Sequence, residues 1–381
     1  MLFIHKTVSV CNKCYRHIPG IVYEEDGLII LTKKCVCSEE TFTAIVETDV
    51  EFYHSLKHDF HWGRNQVLFE ITDKCQLSCP HCYHLPDNKK TDRTMEDIMS
   101  QLNSFPTSVI PSFAGAEPGL RHDLPEICKA ISDKGFSRLT ILSNGLRFAD
   151  KKFAQACYDG GLREFLLGLN HPSYQGMAVH TKQLKARQVL EEVGYIVGYT
   201  GYTLQSLDEL PFIMEEIDGL TFDRGQVRIR CGSFIGRSED KEKSYLSKLV
   251  KQFKKLGGND VRVEGEWDDN PYHYMLYYKD ILVRLIQWPD VENIDMEELA
   301  TGPWCQFFDG PISNFVHQVI IRDAVKNMGL PQFDYLPEYY SYRAHENVHN
   351  HWTHNRERPF HFKEFDWSYE SEDKKPILKT L

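Results

Sequence analysis

The stretch Asp73-Lys-Cys75-Gln-Leu-Ser-Cys79-Pro-His81-Cys82-Tyr-His84 follows directly on an apolar segment at 67–72. It places three cysteines on one short loop with the spacing C-x3-C-x2-C. Soft thiolates at this compact spacing suit three corners of an iron–sulfur cube, and one iron then stays open for another ligand. The alternatives are a zinc knuckle or a chance grouping of cysteines. The place of the motif at the end of a predicted strand favours the cluster.

Short apolar segments alternate with amphipathic stretches between residues 64 and 265. The predicted strands are 67–72, 108–114, 138–143, 164–169, 195–200 and 227–232. One predicted helix begins at Thr94, and the others lie near 122–134, 149–159, 175–193, 207–217 and 241–256. Thr94 is the expected N-cap, with Asp97 three residues further on. This alternation predicts a parallel sheet with right-handed crossovers, whose ligand site lies at the carboxyl ends of the strands.

Composition limits the class of protein. The chain has 381 residues, 41% of them hydrophobic, and a net charge of −11, which excludes a disordered or fibrous protein. The acidic balance disfavours nucleic acid and anionic membranes as partners. The sequence offers neither a signal peptide nor an apolar run long enough to insert into a membrane, so a cytoplasmic location is expected. Thiols stay reduced there, and clustered cysteines are then expected to bind metal.

Two further motifs follow the later strands. Ala114-Gly115-Ala116-Glu117-Pro118 ends the second strand, and Ser143-Asn144-Gly145 ends the third. Together with the three-cysteine loop, they make residues 64–240 resemble the radical S-adenosylmethionine (radical SAM) superfamily. In that family the second motif reads Gly-Gly-Glu-Pro, so Ala116 stands where a glycine is usual. The resemblance implies an α/β fold, a partial (βα)6 barrel.

The resemblance also implies a role for each motif residue. Cys75, Cys79 and Cys82 would hold a [4Fe-4S] cluster that cleaves S-adenosylmethionine reductively to a 5′-deoxyadenosyl radical, which abstracts hydrogen from the substrate. The cofactor would be bound by His81 near the adenine, by Gly115, Ala116 and Glu117 at the methionine end, by Ser143, Asn144 and Asn170, and by Arg228 or Arg230 at its carboxylate. The electron would come from a donor such as flavodoxin or ferredoxin.

A second group of cysteines lies near the N-terminus. Cys11, Cys14, Cys35 and Cys37 form two close pairs, which predicts a structural four-cysteine zinc site. A second iron–sulfur cluster, a rubredoxin-like iron and a metal-free segment are the alternatives. This layout resembles the pterin-methylating and tetraether-lipid-forming branch of the superfamily, although that branch commonly has Cys-Pro-x-His-Gly at the second pair. The remaining cysteines are Cys128, Cys157, Cys231 and Cys305, which stand singly and predict no auxiliary cluster; Cys231 is also a conceivable hydrogen-atom donor.

The sequence thus predicts three parts: a zinc-knuckle segment (1–60), the partial barrel (64–265) and an aromatic C-terminal cap over the substrate (266–381). The cap holds four histidines between His345 and His354, interpreted as a solvated or substrate-contacting segment, with a metal site or an acid–base role as alternatives. A small-molecule substrate such as a pterin or a nucleoside is expected. The alternatives are a peptide- or lipid-modifying radical SAM enzyme and a non-enzymatic zinc-ribbon adaptor with a degenerate barrel.

Overall fold

The computed structural model describes residues 1–12, 17–35, 39–56, 66–82, 84, 86–103, 105, 107, 110–220, 226–231, 245–259, 271–287, 292–295 and 307–308. Within these ranges the strands form two sheets, one of four strands near the N-terminus and one of ten strands. None of the helices described there is long and apolar enough to cross a bilayer.

The N-terminal sheet is an antiparallel meander in the order β1-β2-β3-β4. Its strands are β1 Leu2–Val10, β2 His17–Glu25, β3 Leu28–Lys34 and β4 Thr41–Glu47, and helix α1 Val50–Ser55 follows. Asp26 and Gly27 have φ angles of 52° and 75° and connect β2 to β3, as Asp-Gly does in tight two-residue hairpins. The segment predicted to hold the zinc knuckle is thus built on a small sheet with well-paired strands.

The second sheet contains the six predicted strands as parallel neighbours in chain order, which confirms the predicted architecture. They are β5 Gln66–Thr72, β6 Ile110–Gly115, β7 Thr140–Ser143, β8 Glu164–Gly168, β9 Ile196–Leu204 and β10 Gln226–Cys231. Since these strands run in one direction, the loops that carry the cysteine, Glu117 and Asn144 motifs leave the sheet at the same edge.

The predicted helices are also present. They are α2 Met95–Leu102, α3 Leu124–Asp133, α4 Lys151–Asp159, α5 Met177–Val193, α6 Leu210–Asp218 and α7 Leu246–Lys255. Thr94 caps α2 as predicted, because its hydroxyl accepts from the Asp97 amide while the Asp97 carboxylate accepts from the Thr94 amide. The apolar faces of these helices bury residues such as Ile98, Ile127 and Leu190 in one continuous core with the sheet.

The sheet continues beyond residue 265, into the region expected to form the cap. Strand β13 Ile281–Ile286 pairs in parallel with β10, and β12 His273–Tyr278 and β11 Gly258–Asn259 extend that edge in antiparallel fashion. The short strand β14 Phe307–Phe308 pairs with β5 at the opposite edge. The remaining aromatic and histidine positions predicted in the C-terminal part, from Trp304 to His354, lie outside the described residues.

The N-terminal sheet is joined to the large one by buried polar contacts. The Asp295 carboxylate accepts from the Thr7 hydroxyl and lies 2.7 Å from His5 Nε2, and the Ser9 hydroxyl donates to the Ile294 carbonyl at 2.6 Å. These contacts bury β1 against the chain that follows β13. The small sheet is thus a fixed part of the fold.

Candidate active site

The three cysteines of the first motif lie together on the loop after β5. Each is half-buried, and the loop is held by its own backbone: the Cys82 amide donates to the Cys79 carbonyl at 3.2 Å, and the Leu77 amide donates to Cys75 Sγ at 3.4 Å. Burial raises the pKa of the Cys75 thiol to about 12. A nearby cation would favour the thiolate form at this position.

The three thiols on this loop are the residues for which the sequence predicts an iron–sulfur cluster. Within the described ranges, no three His, Cys, Asp or Glu side chains are grouped to hold a single metal ion. The thiolates of a four-iron cluster each bind a different iron, and this chemistry suits the soft donor set of Cys75, Cys79 and Cys82.

The end of β6 fixes the cysteine loop from one side. The Ala116 amide donates to the Thr72 carbonyl at 3.3 Å, and the Glu117 amide donates to the Lys74 carbonyl at 2.9 Å. Gly115 has a φ of +106°, and a Cβ atom there would lie 2.8 Å from the Thr72 carbonyl oxygen. Glycine is therefore required at this position by the close approach of two backbones, whatever ligand lies above it.

Glu117 joins the ends of β6 and β7. Its buried carboxylate accepts from the Ser143 hydroxyl at 2.6 Å, the Asn144 amide at 2.8 Å and the Gly119 amide at 2.9 Å. Burial nevertheless raises the pKa of this carboxyl above its usual value, because desolvation outweighs these three donors. The side chain both braces the two strand ends and brings a carboxylate to the cavity beside the cysteines.

Two asparagine amides face the thiols. Asn144 Nδ2 lies 4.0 Å from Cys75 Sγ, and Asn170 Nδ2 lies 3.9 Å from Cys79 Sγ. Behind Asn144, the buried Gln183 side chain of α5 donates to the Asn144 carbonyl at 3.0 Å and to the Gly168 carbonyl at 2.9 Å. One helix side chain thus holds the ends of β7 and β8 in register.

A second buried contact from α5 holds Asn170. His180 Nδ1 donates to the Asn170 carbonyl at 3.0 Å, and Nε2 donates to the Glu216 carboxylate of α6. The other Glu216 oxygen accepts from the hydroxyl of Tyr202, which is fully buried on β9. The Glu216 carboxylate raises the pKa of His180, because it stabilises the imidazolium more than burial disfavours it.

His81 lies between two of the cysteines and contacts the rest of the wall. Its ring packs edge-on against Tyr174, with ring centres 5.2 Å apart, and its buried Nδ1 atom has no hydrogen-bond partner among the described residues. Burial, and secondarily the charge of Arg230, lower the pKa of His81 to about 4. The ring is neutral at physiological pH and offers an acceptor or donor atom to a ligand.

One cavity collects almost the whole predicted set. It is bordered by Cys75, Cys79, His81, Cys82, Gly115, Ala116, Glu117, Ser143, Asn144, Asn170 and Arg230. Arg228 is two residues earlier on β10 and places its guanidinium 3.9 Å from the ring centre of Tyr199. Of the two arginines between which the sequence could not choose, Arg230 therefore borders the cavity directly.

Several wall residues were not found from the sequence. Tyr199 and Thr203 of β9 border the cavity, and strand alternation would have placed them on one face had the predicted strand continued beyond residue 200. His180 and Gln183 are buried polar residues three apart on α5. They lie on the buried side of this helix together with Arg187 and the apolar residues Ala186, Val189 and Leu190, and polar residues at buried helical positions were the available signal.

The N-terminal cysteines that can be described lie together. Cys11 follows β1 and Cys35 follows β3, which run in the same direction on either side of β2. Both are fully buried in one small cluster with Ile18. The other two predicted ligands, Cys14 and Cys37, lie outside the described residues.

The single cysteines of the barrel belong to its core. Cys128 of α3 and Cys157 of α4 are fully buried next to each other, and the pKa of Cys128 is raised mainly by burial. Cys231 is buried in the same core, on the face of β10 opposite to Arg230. Cys305 lies outside the described residues.

Comparison with known proteins agrees with this geometry. Residues 69–209 match the family model of the radical SAM superfamily, and residues 3–37 match that of the HMPTM N-terminal zinc ribbon domain. A 7,8-dihydro-6-hydroxymethylpterin dimethyltransferase of Methanocaldococcus jannaschii is 28% identical over 42% of this chain and 38% of its own length. An Fe-coproporphyrin III synthase of Methanosarcina barkeri is 26% identical over 65% of this chain and 67% of its own length.

The matched region thus spans less than two fifths of the pterin dimethyltransferase. Among solved structures, Streptococcus suis SuiB bound to S-adenosylmethionine superposes with a TM-score of 0.47 and 12% identity, covering 88% of this chain and 90% of that one. The three-cysteine loop, the ordered strand-end motifs and the match over residues 69–209 agree with one another. Residues 69–209 are thus a radical SAM domain similar to that of these enzymes, and residues 3–37 before it match a zinc-ribbon domain.

Proposed function

We propose that this chain cleaves S-adenosylmethionine reductively at a [4Fe-4S] cluster held by Cys75, Cys79 and Cys82, and uses the resulting radical on a small organic substrate. The observation that carries this proposal is the single cavity in which the three thiols meet the ends of four parallel strands. A reduced cluster of this kind supplies the electron that splits the sulfonium and yields a 5′-deoxyadenosyl radical. The protein's part is binding, orientation and exclusion of water.

Each wall of the cavity supports a part of this binding. The Glu117 carboxylate can accept a further hydrogen bond at Oε2, which suits the ammonium group of the cofactor. Arg230 offers a guanidinium to the methionine carboxylate, and its buried Nε atom has no hydrogen-bond partner in the described structure. The neutral ring of His81 lies beside Tyr174 and suits contact with the adenine.

The alanine in the second motif is compatible with this function. Gly115 is the residue whose conformation excludes a side chain, whereas Ala116 uses its amide to hold the Thr72 carbonyl at 3.3 Å. Replacement of the second glycine by alanine therefore leaves the contact between β5 and β6 intact. Ala116 would still approach the methionine end through its backbone.

For the N-terminal sheet we propose a structural zinc ion bound by Cys11, Cys14, Cys35 and Cys37. The buried pair of Cys11 and Cys35 at one edge of the sheet supports this role, and a structural zinc site stabilises a segment with a small core. The sheet is tied to the barrel through Asp295, so we expect loss of zinc to weaken the whole fold. We further propose residues 1–60, 64–265 and 266–381 as the three functional parts, with substrate selection in the last.

The substrate class is proposed as a small molecule, and the electron donor as a flavodoxin or ferredoxin in the cytoplasm. The two relatives differ in the compounds that their names give, a pterin and an iron coproporphyrin. Similarity to them therefore supports the shared radical step.

The test is anaerobic reconstitution of the full chain with iron and sulfide, followed by reduction in the presence of S-adenosylmethionine. We expect cluster absorbance, a reduced-cluster electron paramagnetic resonance (EPR) signal that changes when S-adenosylmethionine is added, and formation of 5′-deoxyadenosine. Cys79→Ala should abolish all three. Cys128→Ala, which removes a core thiol distant from the motif, should retain them. Failure of the wild-type chain to assemble a cluster would favour the zinc-ribbon adaptor instead.

A further inference from the structure

Tyr174 connects the loop after β8 with the loops that follow two other strands. Its ring packs edge-on against His81 of the cysteine loop, which follows β5, with ring centres 5.2 Å apart and ring planes at 61°. Its hydroxyl donates to the carboxylate of Glu209, which lies between β9 and α6. In the sheet, β6 and β7 lie between β5 and β8. One side chain thus joins the cysteine loop to a part of the fold two strands further along the sheet.

The Tyr174 side chain is held at both of its ends. At the hydroxyl end, the Gln205 amide donates to the Tyr174 hydroxyl at 2.9 Å and to the Glu209 carboxylate at 3.1 Å, so that the three groups bond to one another. At the backbone end, the Tyr174 amide donates to the His171 carbonyl at 3.1 Å. Burial and the Glu209 carboxylate raise the pKa of the Tyr174 hydroxyl above its usual value, and the phenol therefore stays protonated and remains a donor.

The ring that Tyr174 contacts has a polar atom to offer. His81 borders the cavity, and its buried Nδ1 atom has no hydrogen-bond partner among the described residues. Buried polar atoms are normally paired, so an unpaired one on a residue that borders a cavity indicates a ligand that completes it. The direction of this atom depends on the orientation of the imidazole ring. Edge-to-face contact with a ring that is itself fixed favours one such orientation.

We propose that Tyr174 is a positioning residue, which fixes the His81 ring for contact with the nucleoside part of S-adenosylmethionine. This inference rests on the function proposed above, and it adds a residue that does not itself border the described cavity. Because Tyr174 acts through His81, its contribution to binding exists only while the imidazole is present. The hydroxyl contributes as well, since its bonds to Glu209 and Gln205 keep the ring in place.

The test is a double-mutant cycle on the full reconstituted chain, with the dissociation constant of S-adenosylmethionine measured by calorimetry. Tyr174→Leu should weaken binding by at least about threefold, within the range that one aromatic pair contributes. Tyr174→Phe keeps the ring and loses only its anchor, so it should weaken binding less, by about twofold. In a chain that already carries His81→Ala, neither change at Tyr174 should weaken binding further.

Tyr158→Leu is the matched control. The Tyr158 ring of α4 also packs edge-on on a neighbouring ring, that of Tyr195, at the same separation of 5.2 Å, and Tyr158 does not border the cavity. This variant should bind S-adenosylmethionine like the wild type. Circular dichroism checks the fold of each variant, and Tyr174→Phe carries the test if the leucine variant does not fold.

Two results would overturn the proposal. One is unchanged binding in the Tyr174 variants, which would limit this side chain to a structural role. The other is an equal loss of binding with and without His81→Ala, which would show that Tyr174 acts independently of the imidazole. Absence of binding to the wild type would count against the proposed function itself and against this inference with it, so the two failures are distinguishable.

Discussion

Replacement of His180 by leucine tests whether α5 holds the site. In the structure the imidazole is buried and donates to the Asn170 carbonyl and to the Glu216 carboxylate. Leucine fills similar space but makes neither bond. The carboxylate then keeps only the Tyr202 hydroxyl as a donor in this network and lies in a poorly hydrated site.

The magnitude follows from those contacts. The neutral hydrogen bond to the Asn170 carbonyl contributes about 1 kcal/mol, and the bond to the charged carboxylate contributes about 1.5–3 kcal/mol. Removal of one partner of a buried ion pair costs about 3–5 kcal/mol in all, because an uncompensated charge remains. We therefore expect His180→Leu to lower the free energy of unfolding by about 3–5 kcal/mol. Adding Glu216→Gln to the same chain should recover part of this loss, since the stranded charge is then gone.

The effect should depend on pH with a definite sign. The Glu216 carboxylate raises the folded-state pKa of His180 above its usual 6.5. The stabilisation is therefore complete below pH 6.5 and is lost as the pH rises through the raised pKa. The difference between wild type and His180→Leu should be largest at about pH 6 and should shrink at alkaline pH.

The assay is urea unfolding of the cluster-free protein, followed by circular dichroism at several pH values. His122→Leu is the control: this histidine is exposed at the start of α3, and its replacement should change stability by less than about 0.5 kcal/mol at every pH. If the loss of stability in His180→Leu does not depend on pH, His180 is not protonated in the folded protein. If the double variant His180→Leu/Glu216→Gln is no more stable than His180→Leu alone, the uncompensated Glu216 charge is not the source of the loss.

Three further predictions follow from single contacts. Gly115→Ala should lower the free energy of unfolding by more than about 1 kcal/mol and impair cluster assembly, because the new Cβ atom would meet the Thr72 carbonyl. Gly27 also has a positive φ but has open space around it, so Gly27→Ala should lower the free energy of unfolding less in a urea titration and leave cluster absorbance unchanged. Glu117→Gln should weaken S-adenosylmethionine binding in calorimetry by at least tenfold and lower stability by about 1–3 kcal/mol, since an amide nitrogen facing one of its three donors leaves a buried donor unpaired. Cys11→Ser should remove about one zinc per chain in metal analysis while cluster absorbance is retained.

The barrel could be read from the sequence because its signals are local. Each strand is a short apolar run with its own turn residues, and each motif stands directly after a strand. Parallel pairing then brings the ends of β5 to β8 to one edge without further information. That is why eleven of the twelve predicted site residues of the barrel border one cavity.

Other features depend on pairings between distant segments. The parallel pairing of β13 with β10, and of β14 with β5, follows a long stretch of chain and has no local signature. The N-terminal sheet is a different case. Its Asp26-Gly27 hairpin was a turn signal in the sequence, whereas the prediction made from the cysteines concerned the metal site and did not include the four strands.

The residues behind the site were missed for a physical reason that also explains how the site is built. His180 and Gln183 are three apart on α5 and therefore face the same way. One holds the Asn170 carbonyl and the other the Asn144 carbonyl, and the amides of these two asparagines lie 3.9 Å and 4.0 Å from the sulfurs of Cys79 and Cys75.

Hydrogen bonds to ligand sulfurs are among the features that set the reduction potential of an iron–sulfur cluster. Helix α5 thus fixes the polar groups around two of the three thiols without contributing a ligand of its own. Under the proposed function the potential would decide whether an electron can pass to a bound sulfonium, so we expect the face of α5 that carries His180 and Gln183 to affect this step through Asn170 and Asn144. The cysteine motif predicts which atoms bind the cluster, whereas the polar groups that would adjust its reduction potential are held by side chains of α5.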